Sequence, residues 1–85
     1  MENSHELEVL KKAIVSVVSV YPDEINDNTT FLGDLGADSL DVYQIVMAVE
    51  EDLNISLKVE DIREVTTVKE AIEMIKKAEA FGDGE

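Results

Sequence analysis

The sequence predicts an all-α fold: a four-helix bundle of three longer helices and one short third helix, with a long loop between helices 1 and 2. Two observations predict this fold. Apolar residues recur at three- and four-residue spacing in three separate segments, as they do on the buried face of an amphipathic helix. The only proline, two of the four glycines and several Asp and Asn residues fall together between the first two of these segments.

The chain length fits a single domain. It has 85 residues, which is near the lower end of what can bury a self-sufficient core, so a second domain is excluded. No cysteine is present, so no disulfide stabilises that core. We expect one domain over residues 1–85, with a folded core at 3–80 and a frayed tail at 81–85.

The first predicted helix spans residues 6–20, where one face is apolar. The β-branched residues within 14–20 would also suit a strand, but their spacing favours a helix that ends before Tyr21 and Pro22. The apolar residues expected on its core face are Leu7, Leu10, Ala13, Ile14, Val17 and Val18.

Residues 22–37 are predicted to form the long loop. A loop of this length in a short domain has to be anchored to the core. Gly33 and Gly36 allow its backbone to turn sharply just before the second helix. The apolar side chains expected to anchor it are Ile25, Phe31, Leu32 and Leu35.

The second helix is predicted from Ser39 to Leu53. Asp38 is a good N-cap, and Asp41 adds a second carboxylate in the first turn, where the helix dipole favours negative charge. Ser39 therefore lies at the first helical position, exposed at the electropositive end of the helix.

This second helix carries two apolar faces. The face expected to pack on the first helix consists of Val42, Ile45, Val46, Val49 and Leu53. The nearly opposite face consists of Leu40, Tyr43 and Met47, flanked by Asp41, Gln44, Glu50 and Glu51. An apolar stripe with an acidic rim indicates a surface that contacts another molecule.

The last third of the sequence predicts two more helices. Residues 55–57 are expected to be extended or turning, and a short third helix follows at about 60–65, with Ile62 and Val65 facing inward. Thr67 and Glu70 have the spacing of a capping box, which opens a fourth helix that runs to about Ala80. The apolar face of this helix is Val68, Ala71, Ile72, Ile75 and Ala78.

The charge of the chain restricts its partners. Seven basic side chains against 20 acidic ones give a net charge of −13 at pH 7, which disfavours nucleic acid and anionic membranes and favours basic patches on other proteins. No apolar run approaches the roughly 20 residues that span a bilayer. The N-terminus lacks the basic and then apolar layout of a secretory signal. We therefore expect a cytoplasmic protein without membrane insertion.

The most informative stretch is residues 35–41, with the sequence Leu-Gly-Ala-Asp-Ser-Leu-Asp. A glycine turn here presents one exposed serine hydroxyl, that of Ser39, at a helix N-terminus. Backbone N–H groups and the helix dipole favour a phosphate at such a position. The stretch therefore indicates a place to hold a phosphodiester.

Three segments in fixed order resemble the acyl carrier proteins of bacterial type II fatty-acid synthesis. Gly-Ala-Asp-Ser-Leu-Asp at 36–41 is followed by Val-Met-Ala-Val-Glu-Glu at 46–51 and by Val-Thr-Thr-Val at 65–68. The similarity covers nearly the whole chain, and no gap is needed between Asp38 and Ile75.

The resemblance implies a carrier and not an enzyme. In this family the serine of the Asp-Ser-Leu motif, here Ser39, is esterified with 4'-phosphopantetheine by a phosphopantetheinyl transferase that uses coenzyme A. The thiol of that group holds the acyl chain as a thioester, so no catalytic residue and no metal site are expected in this chain. Asp38, Leu40 and Asp41 complete the expected cofactor-binding set, and the two carboxylates would help to position the transferase and its metal-bound coenzyme A.

The resemblance also implies a docking surface and an acyl cleft. Synthases, reductases, dehydratases and acyltransferases with basic patches would contact a monomer of this chain through Leu40, Asp41, Tyr43, Gln44, Met47, Glu50 and Glu51. The acyl chain would be sheltered by Val42, Val46, Val49, Leu57, Ile62 and Val65.

Four positions depart from the common pattern of the family. Gln44 replaces an acidic residue and Tyr43 a smaller aliphatic one, so the docking surface is bulkier and less charged. Ile62 stands where alanine is usual, which narrows the expected acyl cleft, and Lys58 replaces a proline before the third helix. A specialised polyketide or aminoacyl carrier is therefore the alternative to a carrier of fatty-acid or related lipid biosynthesis.

Other classes of protein fit the residues less well. The acidic loop at 23–34 lacks the glycine at position 6 and the glutamate at position 12 of an EF-hand. One His and no Cys give no support to a zinc site. Ser39 has neither a histidine base nor a nucleophile-elbow pattern around it. A non-carrier acidic interaction module is the remaining alternative.

Overall fold

The computed structural model describes residues 5–80, which form a bundle of four α-helices. Three helices are long and the third is short, which confirms the predicted all-α architecture. The expectations for residues 3 and 4 and for the tail at 81–85 lie outside the described residues. In chain order the elements are α1 (His5–Val17), a 3₁₀ turn (Pro22–Glu24), α2 (Ser39–Leu53), α3 (Val59–Glu64) and α4 (Val68–Ala80).

Three helices supply the centre of the core. α1 packs mainly against α2 and also against α4. The apolar faces predicted for these helices are buried or packed against the buried cluster, apart from Ala78, which is half-buried. Removing such side chains from water is the main favourable term in folding. The largest fully buried side chains are Ile14, Ile45, Val49, Val68 and Ile75.

α1 ends at Val17, three residues before its predicted end at residue 20. Tyr21 has extended backbone angles (φ −90°, ψ 146°), as the ring of the following proline requires. The chain must therefore leave the helix before Tyr21, and the β-branched residues Val18 and Val20 do little to prolong it. Both valines still pack against the core.

The long loop is anchored as predicted at three of four side chains. Ile25, Phe31 and Leu35 are buried, but Leu32 is 74% exposed, so its predicted role as an anchor is wrong. The amides of Asp34 and Leu35 both donate to the carbonyl oxygen of Thr30. This closes a tight turn with Phe31 and Leu35 directed inward, and Leu32 between them faces out.

The loop is also joined to the start of α4 by backbone hydrogen bonds. Thr30 and Thr67 form an isolated antiparallel β-bridge. The amide of Phe31 donates to the carbonyl oxygen of Thr66 at 3.1 Å, and the amide of Val68 donates to that of Thr29 at 2.9 Å. The bridge thus satisfies backbone groups of the loop that would otherwise lack a partner.

α3 and α4 begin close to their predicted positions. α3 starts one residue earlier than expected, at Val59, and ends at Glu64, with Ile62 buried. The capping box of α4 is present: the amide of Glu70 donates to Oγ1 of Thr67, and the amide of Thr67 donates to Oε1 of Glu70, both at 3.2 Å. Hydrogen bonds from Thr66 to the same carboxylate lower the pKa of Glu70.

Candidate functional site

Ser39 is the first residue of α2 and its side chain is exposed. Asp38 is the N-cap, and a reciprocal capping box joins it to Asp41. The amide of Asp41 donates to Oδ1 of Asp38 at 3.0 Å, and the amide of Asp38 donates to Oδ2 of Asp41 at 3.4 Å. The predicted position of Ser39 and the predicted cap are therefore both present in the structure.

The turn before α2 fixes where Ser39 is presented. Gly36 has a φ of 66°, in the left-handed region that a side chain strains. Ala37 follows it, is 2% exposed, and donates its amide to the carbonyl oxygen of Phe31 at 2.8 Å. The backbone is thus tied to the core two residues before Ser39, while Ser39 itself is exposed.

A cleft of about 500 Å³ opens beside Ser39. This volume lies within the range of small-molecule sites, roughly 300–1,000 Å³. The exposed hydroxyl and the adjacent cleft therefore fit a flexible group that is attached at Ser39 through a phosphodiester. The cleft lies between the loop, the first turn of α2 and the end of α3, and its lining residues are Thr30, Phe31, Leu32, Ala37, Asp38, Ser39, Val42, Tyr43, Ile62, Arg63, Val65 and Thr66.

All six residues predicted to shelter an acyl chain line one small apolar cavity deeper in the bundle. Its volume is about 10 Å³, room for about one water molecule and not for a hydrocarbon chain. Phe31, Val42, Ile62 and Val65 line both this cavity and the outer cleft. These four side chains therefore lie between the outer cleft beside Ser39 and the apolar interior.

The predicted docking residues lie along the outer side of α2. Leu40 is 64% and Met47 61% exposed, which is high for large apolar side chains. Gln44 and Glu51 are exposed, and Asp41 and Tyr43 are half-buried. The structure thus brings this set together on one helix surface.

Glu50 and Tyr43 also have contacts that the sequence did not predict. An oxygen of Glu50, Oε2, accepts a 2.7 Å hydrogen bond from the amide of Leu57, which ties the segment after α2 back onto that helix. Tyr43, one of the predicted docking residues, also lines the cleft beside Ser39. Glu50 therefore has a structural role, and Tyr43 lies next to both predicted sites.

Several residues of the cleft wall were missed by the sequence analysis: Thr30, Leu32, Arg63 and Thr66. Arg63 carries the one available sequence signal, since it is the only arginine in the chain and follows the inward-facing Ile62. The other three lie in loop segments whose placement depends on the β-bridge, and no local pattern indicates that.

Two further features of the described residues bear on function. Within residues 5–80, no group of three or more His, Cys, Asp or Glu side chains is arranged to hold a metal ion. None of the helices in that range is both long enough and apolar enough to cross a membrane.

Comparison with known proteins places these features in a family context. Residues 8–75 match the model of the family described as "Phosphopantetheine attachment site". The chain is also 39% identical, over 77 residues, to a protein named acyl carrier protein from Zymomonas mobilis subsp. mobilis. That alignment covers 91% of this chain and 99% of the relative.

Proposed function

The chain belongs to the acyl carrier protein family, and we propose that Ser39 is the residue to which its 4'-phosphopantetheine group is attached. Members of this family are carriers and not catalysts. The group is covalently attached and supplies the thiol that holds acyl intermediates as thioesters. The main support for Ser39 is its exposed hydroxyl, at the first residue of α2 and on the edge of a cleft.

The attachment step follows from the chemistry of coenzyme A. The Ser39 Oγ forms a bond to the phosphorus that carries the pantetheine chain, and the pyrophosphate P–O bond breaks. Adenosine 3',5'-bisphosphate leaves, and the hydroxyl proton passes to a base of the transferase or to water. Ser39 therefore needs to be accessible but needs no activating base of its own, in keeping with its exposed position.

Asp38 and Asp41 support this step in two ways. Their capping box holds the first turn of α2 in place, so the hydroxyl between them has a defined position. Each carboxylate has a second oxygen, which we propose faces the transferase and its metal-bound coenzyme A. Leu40 is 64% exposed beside them and provides apolar contact area.

Proteins of this family interact with phosphopantetheinyl transferases and with biosynthetic enzymes. We propose that the outer side of α2 is the surface used here, because exposed apolar side chains lie on it within a strongly acidic chain. Basic patches on synthases, reductases, dehydratases and acyltransferases complement that charge. Electrostatic steering gives fast association without tight binding, which suits a monomeric cytoplasmic carrier that exchanges partners.

We propose that the acyl chain enters the bundle between Val42, Ile62 and Val65. Together with Phe31, these side chains line both the outer cleft and the small cavity, which is lined only by apolar residues. With a volume of about 10 Å³, the cavity must expand before a chain can enter. Short chains therefore need less rearrangement than long ones, and Ile62 is the side chain that opposes entry.

The pathway proposed for this carrier is fatty-acid or related lipid biosynthesis. The apolar lining of the small cavity suits an acyl chain and offers no polar partner to an aminoacyl group. The family match and the similarity to a protein named acyl carrier protein do not favour the polyketide and aminoacyl alternatives or the non-carrier module. The bulky Tyr43 and Ile62 are features by which this carrier would select among acyl substrates.

Intact-mass spectrometry tests the attachment residue. Wild type, Ser39→Ala and the control Ser56→Ala are each incubated with coenzyme A and a broad-specificity phosphopantetheinyl transferase. Ser56 is an exposed serine outside the motif. We expect one phosphopantetheine on wild type and on Ser56→Ala, and none on Ser39→Ala. Modification of Ser39→Ala, or none of wild type where a known carrier is modified, would overturn the proposal.

A further inference from the structure

Arg63 is the single basic side chain among the described residues that line the cleft beside Ser39. It is exposed, lies in the last turn of α3 and follows the buried Ile62. No carboxylate within residues 5–80 forms an ion pair with its guanidinium. The chain has a net charge of −13, yet a basic side chain lies in this cleft. None of the roles proposed above involves Arg63.

We propose that Arg63 binds the phosphodiester of the 4'-phosphopantetheine group and so holds the first part of that group across the cleft. The inference rests on the proposed attachment at Ser39. That attachment fixes the position of the phosphate, because its phosphorus is bonded directly to Ser39 Oγ. Ser39 and Arg63 line the same cleft of about 500 Å³, so a phosphate on Ser39 and the guanidinium face one shared space.

Charge supports this pairing. A phosphodiester carries one negative charge at neutral pH, and at Ser39 it lies between the carboxylates of Asp38 and Asp41. A cation within reach lowers that repulsion. Arginine suits the task better than lysine, because its planar guanidinium donates two parallel hydrogen bonds to phosphate oxygens.

The proposed contact between Arg63 and the phosphodiester orients the 4'-phosphopantetheine group in the cleft. Arg63 lines the cleft together with the apolar side chains that the cleft shares with the interior, which are Phe31, Val42, Ile62 and Val65. A phosphate held by Arg63 directs the thioester end toward those side chains. Basic side chains of a docked enzyme compete for the same phosphate, so docking would release the group toward the partner.

A simpler explanation makes a different prediction. A basic residue in the last turn of a helix interacts favourably with the helix dipole, and Arg63 is in the last turn of α3. That interaction is the same whether or not Ser39 is modified. A phosphodiester contact exists only in the modified protein, so the two explanations are separated by comparing both forms.

The test measures melting temperatures of the unmodified and modified forms of wild type, Arg63→Gln, Arg63→Lys and Lys58→Gln. Mass spectrometry first verifies modification, so a failure of the attachment proposal is seen before melting is measured. Lys58→Gln is the matched control, since it also removes an exposed cation next to α3 but lies outside the cleft lining. We expect Arg63→Gln to lower the melting temperature of the modified form by about 2–6 °C more than that of the unmodified form.

The controls sharpen that expectation. Lys58→Gln should change the melting temperatures of the modified and unmodified forms by the same amount. Arg63→Lys should lower the melting temperature of the modified form less than Arg63→Gln does. In 0.5 M NaCl, most of the extra loss that Arg63→Gln causes in the modified form should disappear. Equal losses in both forms of Arg63→Gln would overturn the proposal in favour of the helix-dipole explanation. As a second readout, the phosphorus NMR signal of the modified protein should shift in Arg63→Gln and not in Lys58→Gln, and an unchanged signal would also overturn it.

Discussion

Ile62 is a buried side chain at which the outer cleft meets the apolar interior. It is 6% exposed and contributes to both the outer cleft and the small cavity. Its volume therefore restricts the opening between them, and a smaller side chain should enlarge that opening. The same change removes buried methyl groups, so stability and access are expected to move in opposite directions.

Shortening Ile62 should extend the range of acyl chains that the interior shelters. Ile62→Val is expected to lower the free energy of unfolding of the unmodified protein by about 1 kcal/mol, and Ile62→Ala by about 2–4 kcal/mol. The modified proteins are loaded with acyl groups of four to twelve carbons, and the rise in melting temperature on loading is measured for each. In both variants, the acyl chain that gives the largest rise in melting temperature should be longer than it is for wild type. Val59→Ala, at an exposed position on the same helix, should keep the wild-type preference, and an unchanged preference in Ile62→Ala would contradict the prediction.

Glu50 and Glu51 are adjacent acidic residues with different expected roles. Glu50 accepts the hydrogen bond from the amide of Leu57, whereas Glu51 is exposed on the helix surface. Glu50→Ala should lower the free energy of unfolding by about 1–2 kcal/mol, because it leaves a partly buried amide without its partner. Glu51→Ala should change it by less than about 0.5 kcal/mol. Urea denaturation of both variants measures this, and equal effects would argue against a structural role for Glu50.

At the scale of the helix, Asp38 at the N-terminus of α2 has two expected roles: it caps the helix, and its charge is proposed to help the transferase recognise Ser39. The same carboxylate of Asp38 caps the helix and adds negative charge beside Ser39. A neutral amide can replace it as a cap, since Asn and Asp are about equally good N-cap residues. The two contributions of Asp38 can therefore be separated by substitution.

Asp38→Asn and Asp38→Ala should give different combinations of stability and modification. Asp38→Ala loses the cap, and its free energy of unfolding should fall by about 1 kcal/mol. Asp38→Asn should keep its stability to within a few tenths of a kcal/mol, yet be modified more slowly because the charge next to Ser39 is gone. Urea denaturation and the rate of phosphopantetheine transfer are measured on both. If Asp38→Asn is modified at the wild-type rate, the charge has no part in recognition by the transferase.

The elements differ in how far the sequence could predict them. The bounds predicted for α2, about Ser39 to Leu53, agree with the structure because its signals are local: Asp38 and Asp41 stand at capping distance, and the apolar spacing continues to Leu53. α1 was predicted too long, since apolar spacing persists through Val18 while the backbone already turns toward Pro22. Helical spacing shows which side chains are buried but is a weaker guide to where a helix ends.

The cleft was harder to predict than the position of Ser39 at the start of α2. Ser39 and its cap belong to one continuous segment, whereas the cleft wall comes from the loop, α2 and α3 together. Leu32 was assigned to the core because it is apolar, but the turn closed by Thr30 directs it outward. Arg63 belongs to a helix of six residues, too short for periodicity to show which residues it faces.

For the molecule as a whole, the dominant electrostatic feature is self-repulsion. A net charge of −13 on 85 residues favours encounter with basic partners and opposes the compact state. Added salt screens the repulsion, so the melting temperature of the unmodified protein should rise by several degrees between 0.02 M and 0.5 M NaCl, and further with millimolar Mg²⁺. Calorimetry or circular dichroism measures the change. A melting temperature that is indifferent to both additions would contradict this account.

One carboxylate, that of Glu79, has a raised pKa because it is hydrogen-bonded to a second carboxylate. A hydrogen bond with Glu6, partial burial and the negative charge of Glu6 raise the pKa of Glu79 above its ordinary value of 4.5. The folded protein therefore holds this proton more tightly than the unfolded chain does. The stability that results is fully present below pH 4.5 and is lost as the pH rises through the raised pKa of the folded state.

Neutralising Glu79 should therefore stabilise the protein at neutral pH. Glu79→Gln is expected to have a higher melting temperature than wild type at pH 7, and the difference should shrink as the pH falls toward 4.5. Glu73→Gln, at an exposed position of the same helix, removes the same formal charge as a control. Thermal melts from pH 4 to pH 8 measure both variants. If the difference in melting temperature between Glu79→Gln and Glu73→Gln does not vary with pH, the prediction is contradicted.

The β-bridge between Thr30 and Thr67 has a practical consequence for shortened forms of this carrier. Short peptides that contain a modifiable serine are attractive as labelling tags, and a tag built on this chain would naturally centre on the stretch around Ser39. Here, however, the turn that presents Ser39 is bonded to backbone more than 25 residues further along, at Thr66 and Val68. A fragment that stops before α4 discards the partner of that turn, so a tag with native presentation of the serine must extend into the last helix.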